Sequence, residues 1–167
     1  MTYLEVVCEL KWNPTEKKET LEGILDNFLD ATTIEDQRFE GIYLVRRGSD
    51  LDSLQLIADW IRDMKQLDTI RKRLLKSING NITALYFNRQ AAAMNRISLV
   101  DVDDNPPLGA VAFQIVSDDL ESIIDQLAPR TFKGKELSRQ ELEQMRAKKK
   151  EAMLKSKKRK SISKFRV

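Results

Sequence analysis

From position 4 to position 12 the apolar side chains Leu4, Val6, Cys8, Leu10 and Trp12 alternate with Glu5, Val7, Glu9 and Lys11. A period of two sends the two sets to opposite sides of a strand, so this strand lays one face on a core and turns the other to water. Cys8, the only cysteine, falls in the apolar set and reads as a small core residue. One thiol closes no intramolecular disulfide, and that usage fits a reducing cytoplasm.

Helical periods follow. Asn13-Pro14-Thr15-Glu16 reads as a helix start, with Asn13 as N-cap, Pro14 in the first turn and Glu16 returning a bond to the cap. Leu21, Ile24, Leu25, Phe28 and Leu29 make one stripe, so the helix is expected to run to about residue 29. After a polar loop, residues 41–46 supply a short strand. Ser49 is placed to cap a helical segment over about 50–78, bent or in two pieces, and Asn79-Gly80-Asn81 stops it. Residues 82–88 and 96–102 read as strands joined by a connection too long for a tight hairpin. A last strand over 109–116 leads into a helix begun at Ser117 and closed by Pro129. The order β-α-β-α-α-β-β-β-α, with alternating strands, predicts an α+β two-layer sandwich: a largely antiparallel sheet with helices on one face.

Of 167 residues, 41% are hydrophobic and 33% charged, which suits one globular domain with an appendage. The formal net charge of +3 hides a division. Residues 130–167 hold 15 Lys+Arg and 4 Asp+Glu, a net +11, while residues 1–129 hold 14 and 22, a net −8. We therefore divide the chain into a domain over 1–129 and a basic tail over 130–167. Ser138 and Glu141 suit a capping box for a tail helix reaching about residue 154, with a disordered stretch beyond. No apolar run approaches the roughly 18 residues of a membrane span, and the acidic N-terminal segment is unlike a secretory signal, so the expected location is the cytoplasm.

The absence of histidine removes Ser-His-Asp triads, Cys-His dyads and His-ligated metal sites. No glycine-rich phosphate cradle is present. Asp101, Asp103 and Asp104, beside Asn105-Pro106-Pro107, read as solvated loop carboxylates rather than a metal site. No constellation of the remaining catalytic residue types stands out, so the chain reads as non-catalytic, without cofactor or small-molecule substrate.

The tail carries the clearest signal. Arg146, Lys148, Lys149 and Lys150 precede Lys155, Lys157, Lys158, Arg159 and Lys160, and Lys164 and Arg166 follow, against the single Glu151. So dense a run of one sign suits phosphate neutralisation with counterion release. Its large apolar residues are too sparse for a membrane-surface helix. In the body, Arg71, Lys72, Arg73 and Lys76 crowd one helical segment, Arg46 and Arg47 follow the second strand, and Arg89 and Arg96 flank an alanine-rich connection. Tyr86 and Phe87 are candidate stacking groups, but alternation sends them to opposite faces.

The body, over about 3–116, resembles a family of small archaeal RNA-binding proteins described as exosome-subunit-like, with a fold related to a large-subunit ribosomal protein. The likeness rests on the strand leading into Asn13-Pro14-Thr15-Glu16, the long helical segment, and Asn88-Arg89-Gln90-Ala91-Ala92 continuing to Ile97-Ser98-Leu99. In that family the second motif typically reads Asp-Lys-Gln-Ala-Ala with a glycine near the position of Asn95. Here Asn88, Arg89 and Asn95 stand in those places. The resemblance implies a non-catalytic RNA-binding module with Arg89 and Gln90 as contacts. The expected partner is thus RNA, ribosomal or exosome-associated, held by Arg89, Gln90, Arg96, Arg71, Arg73, Lys76 and the tail cations. The alternative is an adaptor whose acidic body binds a protein and whose tail localises it.

Overall fold

The computed structural model describes residues 3–101, 109–132, 135–136, 144, 147–148 and 150–154. Two compact units divide the chain, Met1–Pro129 and Arg130–Val167. In the first, strands β1 (Leu4–Trp12), β2 (Ile34–Arg38), β3 (Gly41–Gly48), β4 (Ile82–Asn88) and β5 (Ala110–Ser117) form one sheet in the order β2-β3-β1-β5-β4. Every neighbouring pair is antiparallel. Helices α1 (Lys18–Leu25), α2 (Gln55–Asp63), α3 (Leu67–Lys76) and α5 (Leu120–Leu127) send their apolar residues into the same core as one face of the sheet. This is the α+β fold that the alternation in β1 predicts. None of these helices is long and apolar enough to cross a membrane.

The registers set which side chains share the core. Cys8 lies opposite Arg46 on one side and Phe113 on the other, and Leu10 lies opposite Leu44. Phe28, delivered just beyond α1, is the centre of the aromatic packing, edge-on to Trp60 at 5.1 Å and to Phe87 at 4.9 Å. Such edge-to-face pairs add to the burial free energy of rings this large.

Several elements differ from expectation. Residues 34–38, read as loop, form β2: Ile-Glu-Asp-Gln-Arg has no apolar alternation because an edge strand joined by a tight hairpin is held by backbone pairing and ion pairs. The first helix begins at Lys18, since residues 13–16 close a turn in which the Glu16 N–H donates to the Asn13 carbonyl at 3.0 Å. Phe28 and Leu29 lie beyond its end yet stay buried, because the chain continues in tight turns. The 50–78 segment is two helices broken at Lys65, whose φ is +55°, and Asp50 rather than Ser49 caps its start, accepting from the Ser53 N–H at 3.0 Å. Asp119 takes the capping role expected of Ser117, which ends β5 in a buried position.

The expected strand over 96–102 reduces to an isolated bridge between Leu99 and Phe87. Two bonds tie it to the outer edge of β4: the Asn88 N–H donates to the Ser98 carbonyl at 2.7 Å and the Val100 N–H to the Tyr86 carbonyl at 2.9 Å. The connection before it is a short helix, α4 (Arg89–Ala93), capped by the Asn88 side chain. In the second unit β6 (Thr131–Phe132) pairs with β7 (Lys135–Glu136), a hairpin absent from the sequence reading. Residues 150–154 are helical and exposed. The expected capping box at Ser138 and Glu141, and the stretch beyond residue 154, lie outside the described residues.

Cys8 is fully buried, and that burial pushes its thiol well above the ordinary range against the pull of the Arg46 guanidinium. Since only the thiolate attacks, the native protein is expected to resist a thiol-reactive disulfide reagent at pH 8, and the urea-unfolded chain to titrate one thiol. Rapid native labelling counts against this core placement.

Candidate nucleic-acid interface

The body arginines that sequence alone makes equivalent have different fates. Arg89 opens α4, but its side chain turns inward and is 2% exposed. One terminal nitrogen donates to the Lys11 carbonyl at 2.9 Å; the other reaches both Glu16 oxygens, at 2.9 and 2.7 Å. Glu16 in turn accepts from the Asn13 side-chain amide at 2.6 Å. Burial draws the Arg89 guanidinium below its ordinary range and the Glu16 charge opposes that shift. Arg89 is therefore a structural clamp between the end of β1 and the end of β4, buried and ion-paired rather than exposed as a surface contact would be.

Arg71 is likewise engaged, donating to the Ala128 carbonyl at 3.1 Å and to Asp125 at 2.7 Å, which ties α3 to the end of α5. Arg73 pairs with Asp101 at 2.5 Å. Arg46, on the core face of β3, is buried and donates to Asp26 at 2.6 Å, to Thr33 at 2.9 Å and to the Leu29 carbonyl at 2.9 Å. Of these four arginines, Arg46 and Arg89 are buried in the body, while Arg71 and Arg73 are half-buried in ion pairs with Asp125 and Asp101.

Gln90, Arg96, Lys72 and Lys76 are exposed. Arg96 follows α4 at the C-terminal end of β4, while Lys76 ends α3, which feeds the beginning of that strand; the rise of a strand separates them by roughly 20 Å. Between α4 and Arg96, Asn95 has a φ of +58°, the left-handed conformation that glycine adopts without strain and asparagine tolerates. That conformation accounts for asparagine standing where the resembled family carries glycine. In the tail, Lys148 and Lys150 are exposed on helical residues. Arg146, Lys149, Lys155, Lys157, Lys158, Arg159, Lys160, Lys164 and Arg166 lie outside the described residues, as do Asp103 and Asp104.

A feature the sequence reading missed lies on the water-facing side of the sheet. Arg38 grips Glu9 through two bonds, at 2.6 and 3.1 Å, and Asp36 through a third at 2.9 Å, while its guanidinium sits 4.3 Å from the centre of the Tyr43 ring. Arg47 pairs with Glu5 at 2.9 Å on the same face. Glu9 and Arg38 are 29 residues apart, and only the β1–β3 and β2–β3 registers bring them together.

With this geometry in place, comparison with known proteins is informative. A UPF0201 protein of Saccharolobus solfataricus is 37% identical over 136 residues, a match spanning 80% of this chain and 92% of that one. The chain belongs to the UPF0201 family. A UPF0201 protein of Metallosphaera sedula is 30% identical over 139 residues, covering 82% and 94% of the two chains. The crystal structure of the UPF0201 protein from Methanococcus jannaschii matches with a TM-score of 0.66 and 27% identity, over 80% of this chain and 99% of that one. A DUF54 protein from Methanothermobacter thermautotrophicus has the same fold, with a TM-score of 0.52 at 16% identity, over 76% and 96% of the two chains. No family model matches the sequence. The archaeal part of the resemblance therefore holds, and UPF0201 membership is the identity these relatives support.

The Arg89–Glu16 pair gives a stability test for this UPF0201 chain. Removing one partner of a buried pair strands the other charge and costs about 3–5 kcal/mol. Glu16→Leu and Arg89→Met are each expected to lose stability on that scale in urea unfolding, with the double variant more stable than either. Single variants within about 0.5 kcal/mol of the parent, the scale of ordinary surface changes, would refute the clamp.

Proposed function

We propose that the chain is a non-catalytic RNA- or ribonucleoprotein-binding protein whose 130–167 tail neutralises phosphates while the 1–129 body docks on the RNA or its protein component. The single observation that carries this reading is the charge division, +11 in the tail against −8 in the body. Cations at that density exceed what solubility needs and match a polyanion. The exposure of Lys148 and Lys150 on helical residues supports it. The engagement of Arg46, Arg71, Arg73 and Arg89 in ion pairs leaves the tail as the main source of phosphate contacts. That same engagement, in an acidic body, favours a second reading in which the body recognises a protein and the tail localises it.

Binding of the full chain to a mixed single-stranded RNA pool, followed by anisotropy across a salt series, separates these readings. Roughly six to eight phosphate contacts give a log-log slope of about −4 to −6. Replacing Lys157, Lys158, Arg159 and Lys160 together with glutamine should flatten that slope by about 3, at roughly 0.7 per lost contact. An unchanged slope would show that the tail does not bind phosphates. No RNA binding, with salt-insensitive association to a protein, would favour the adaptor.

A further inference from the structure

Part of the body's acidic excess lines a groove between helices. Two depressions of about 210 and 140 Å³ lie between α5 and the short 3₁₀ turn Leu51–Leu54 that leads into α2, and they share Leu51 and Gln126 in their walls. Their floors are apolar. Leu4 and Ile123 line the larger, and Leu54, Ala58 and Leu127 the smaller, all buried, while Leu51 between them is 48% exposed. A large aliphatic side chain left half in water where two apolar depressions meet marks a surface suited to contact.

The charge around the groove has one sign. Asp50 and Asp52 line it from the turn, and Asp119 caps α5 at the groove residue Ser122, whose N–H it accepts at 3.4 Å. Asp59 follows Gln55 by one helical turn and accepts from its amide at 2.8 Å. None of the described lining residues is cationic. Residues 48–61 and 97–129, which supply the helical walls, contain no lysine or arginine. The arginine just before them, Arg47, stands on the open face of the sheet, paired with Glu5 at 2.9 Å.

This chemistry selects the occupant. RNA phosphates would be repelled by the rim. A divalent cation needs ligands drawn together, and among the described residues no group of three or more metal-ligating side chains converges. Asp50 is moreover committed to the N–H and hydroxyl of Ser53, at 3.0 and 2.8 Å. Each depression is smaller than the roughly 300 Å³ at which small-molecule sites begin. Aliphatic side chains suit the floors, and cations spread along a chain suit the rim. The walls are helical, with backbone groups already bonded, so an extended segment would leave its own unmet, whereas a helix brings its hydrogen bonds with it. One wall is also tightly set: a Cβ on Gly48 would lie 2.6 Å from that of Ser53, so the turn holds its shape before anything binds.

We propose that this groove binds a basic amphipathic helix of a partner protein, its aliphatic residues seated in the two depressions and its lysines or arginines facing Asp50, Asp52, Asp59 and Asp119. This inference rests on the body-docking half of the reading above and adds what the body takes, a cationic protein helix rather than the RNA itself.

The test uses the full chain and a labelled 14-residue peptide of leucine and lysine in amphipathic helical order, by fluorescence anisotropy at fixed salt. A second peptide, with alanine for every leucine, keeps the charge and the helix and should bind roughly tenfold or more weakly. The double variant Asp52→Lys, Gln126→Lys sets two cations against the bound lysines and should weaken leucine-peptide binding roughly tenfold or more. The double variant Glu19→Lys, Gln37→Lys makes an equal change of charge on α1 and β2 and should stay near the parent. Leu51→Ser, which keeps every charge, should also weaken binding, and unchanged thermal melting shows that the fold is kept. Equal affinity for the two peptides, or equal affinity in the parent and both groove variants, would overturn the groove, as would absence of peptide binding by the parent. RNA anisotropy of the same proteins reads the tail separately, so the groove and the phosphate contacts fail or stand apart from each other. Weakened RNA binding in Leu51→Ser, with peptide binding unchanged, would overturn the proposal in favour of RNA. Self-association of the parent that Leu51→Ser abolishes, with no peptide binding, would overturn it in favour of a second copy of the chain.

Discussion

The buried pair between Glu16 and Arg89 is the contact on which the organisation of one end of the molecule depends. An arginine with its head group in the core is tolerable only when its donors are met by a carboxylate and carbonyls, and here one guanidinium reaches both Glu16 and the Lys11 backbone. Those partners fasten the exit of β1 to the exit of β4, two strands separated in the sheet by β5. The attachment fixes the position of α4, whose Ala92 carbonyl accepts from the Asn27 side chain at 3.1 Å. Through α4 it fixes the path into the 97–100 segment that runs along β4. The open-face positions of β4 are therefore held from the strand's end as well as from its ladder.

What could be read from the residues follows a physical line. β1, β4, β5 and the amphipathic helices were legible because burying one face imposes a period, and periods survive in sequence. β2 was not, because an edge strand with Glu35, Asp36, Gln37 and Arg38 buries too little to leave one. The 96–102 segment misled in the opposite sense. Ile97 and Leu99 pack against the core and produce alternation, yet among the described residues two backbone bonds join the segment to the sheet. The candidate site was legible in its charge and illegible in its partners. Arg89 and Arg96 stand in similar local sequence, and one is buried while the other is exposed, a difference made by Glu16 more than 70 residues away.

The two sides of the sheet obey different electrostatic rules. On the core side, Arg46 is surrounded by acceptors and its charge is spent in holding α1 and the following turns onto β3. On the open side, Arg38 bridges two carboxylates and a ring, drawing together side chains of three strands in one ion-paired cluster. Among the described residues, the β4–β5 half of that face presents only uncharged side chains, Ile82, Tyr86 and Val116 among alanines, Gln114 and Asn88.

The strand order also has a consequence for how the chain is made. β1, made before the other strands of its sheet, is central, and its second partner, β5, is synthesised about a hundred residues later. Until then β1 and β3 stand as part of an incomplete sheet with one edge of β1 unpaired. Contacts this distant in sequence are closed late and slow the folding of a domain. Glu5, Glu9 and Lys11, which give β1 its wet face in the finished protein, serve earlier as the charges that keep a waiting strand from pairing with another nascent chain.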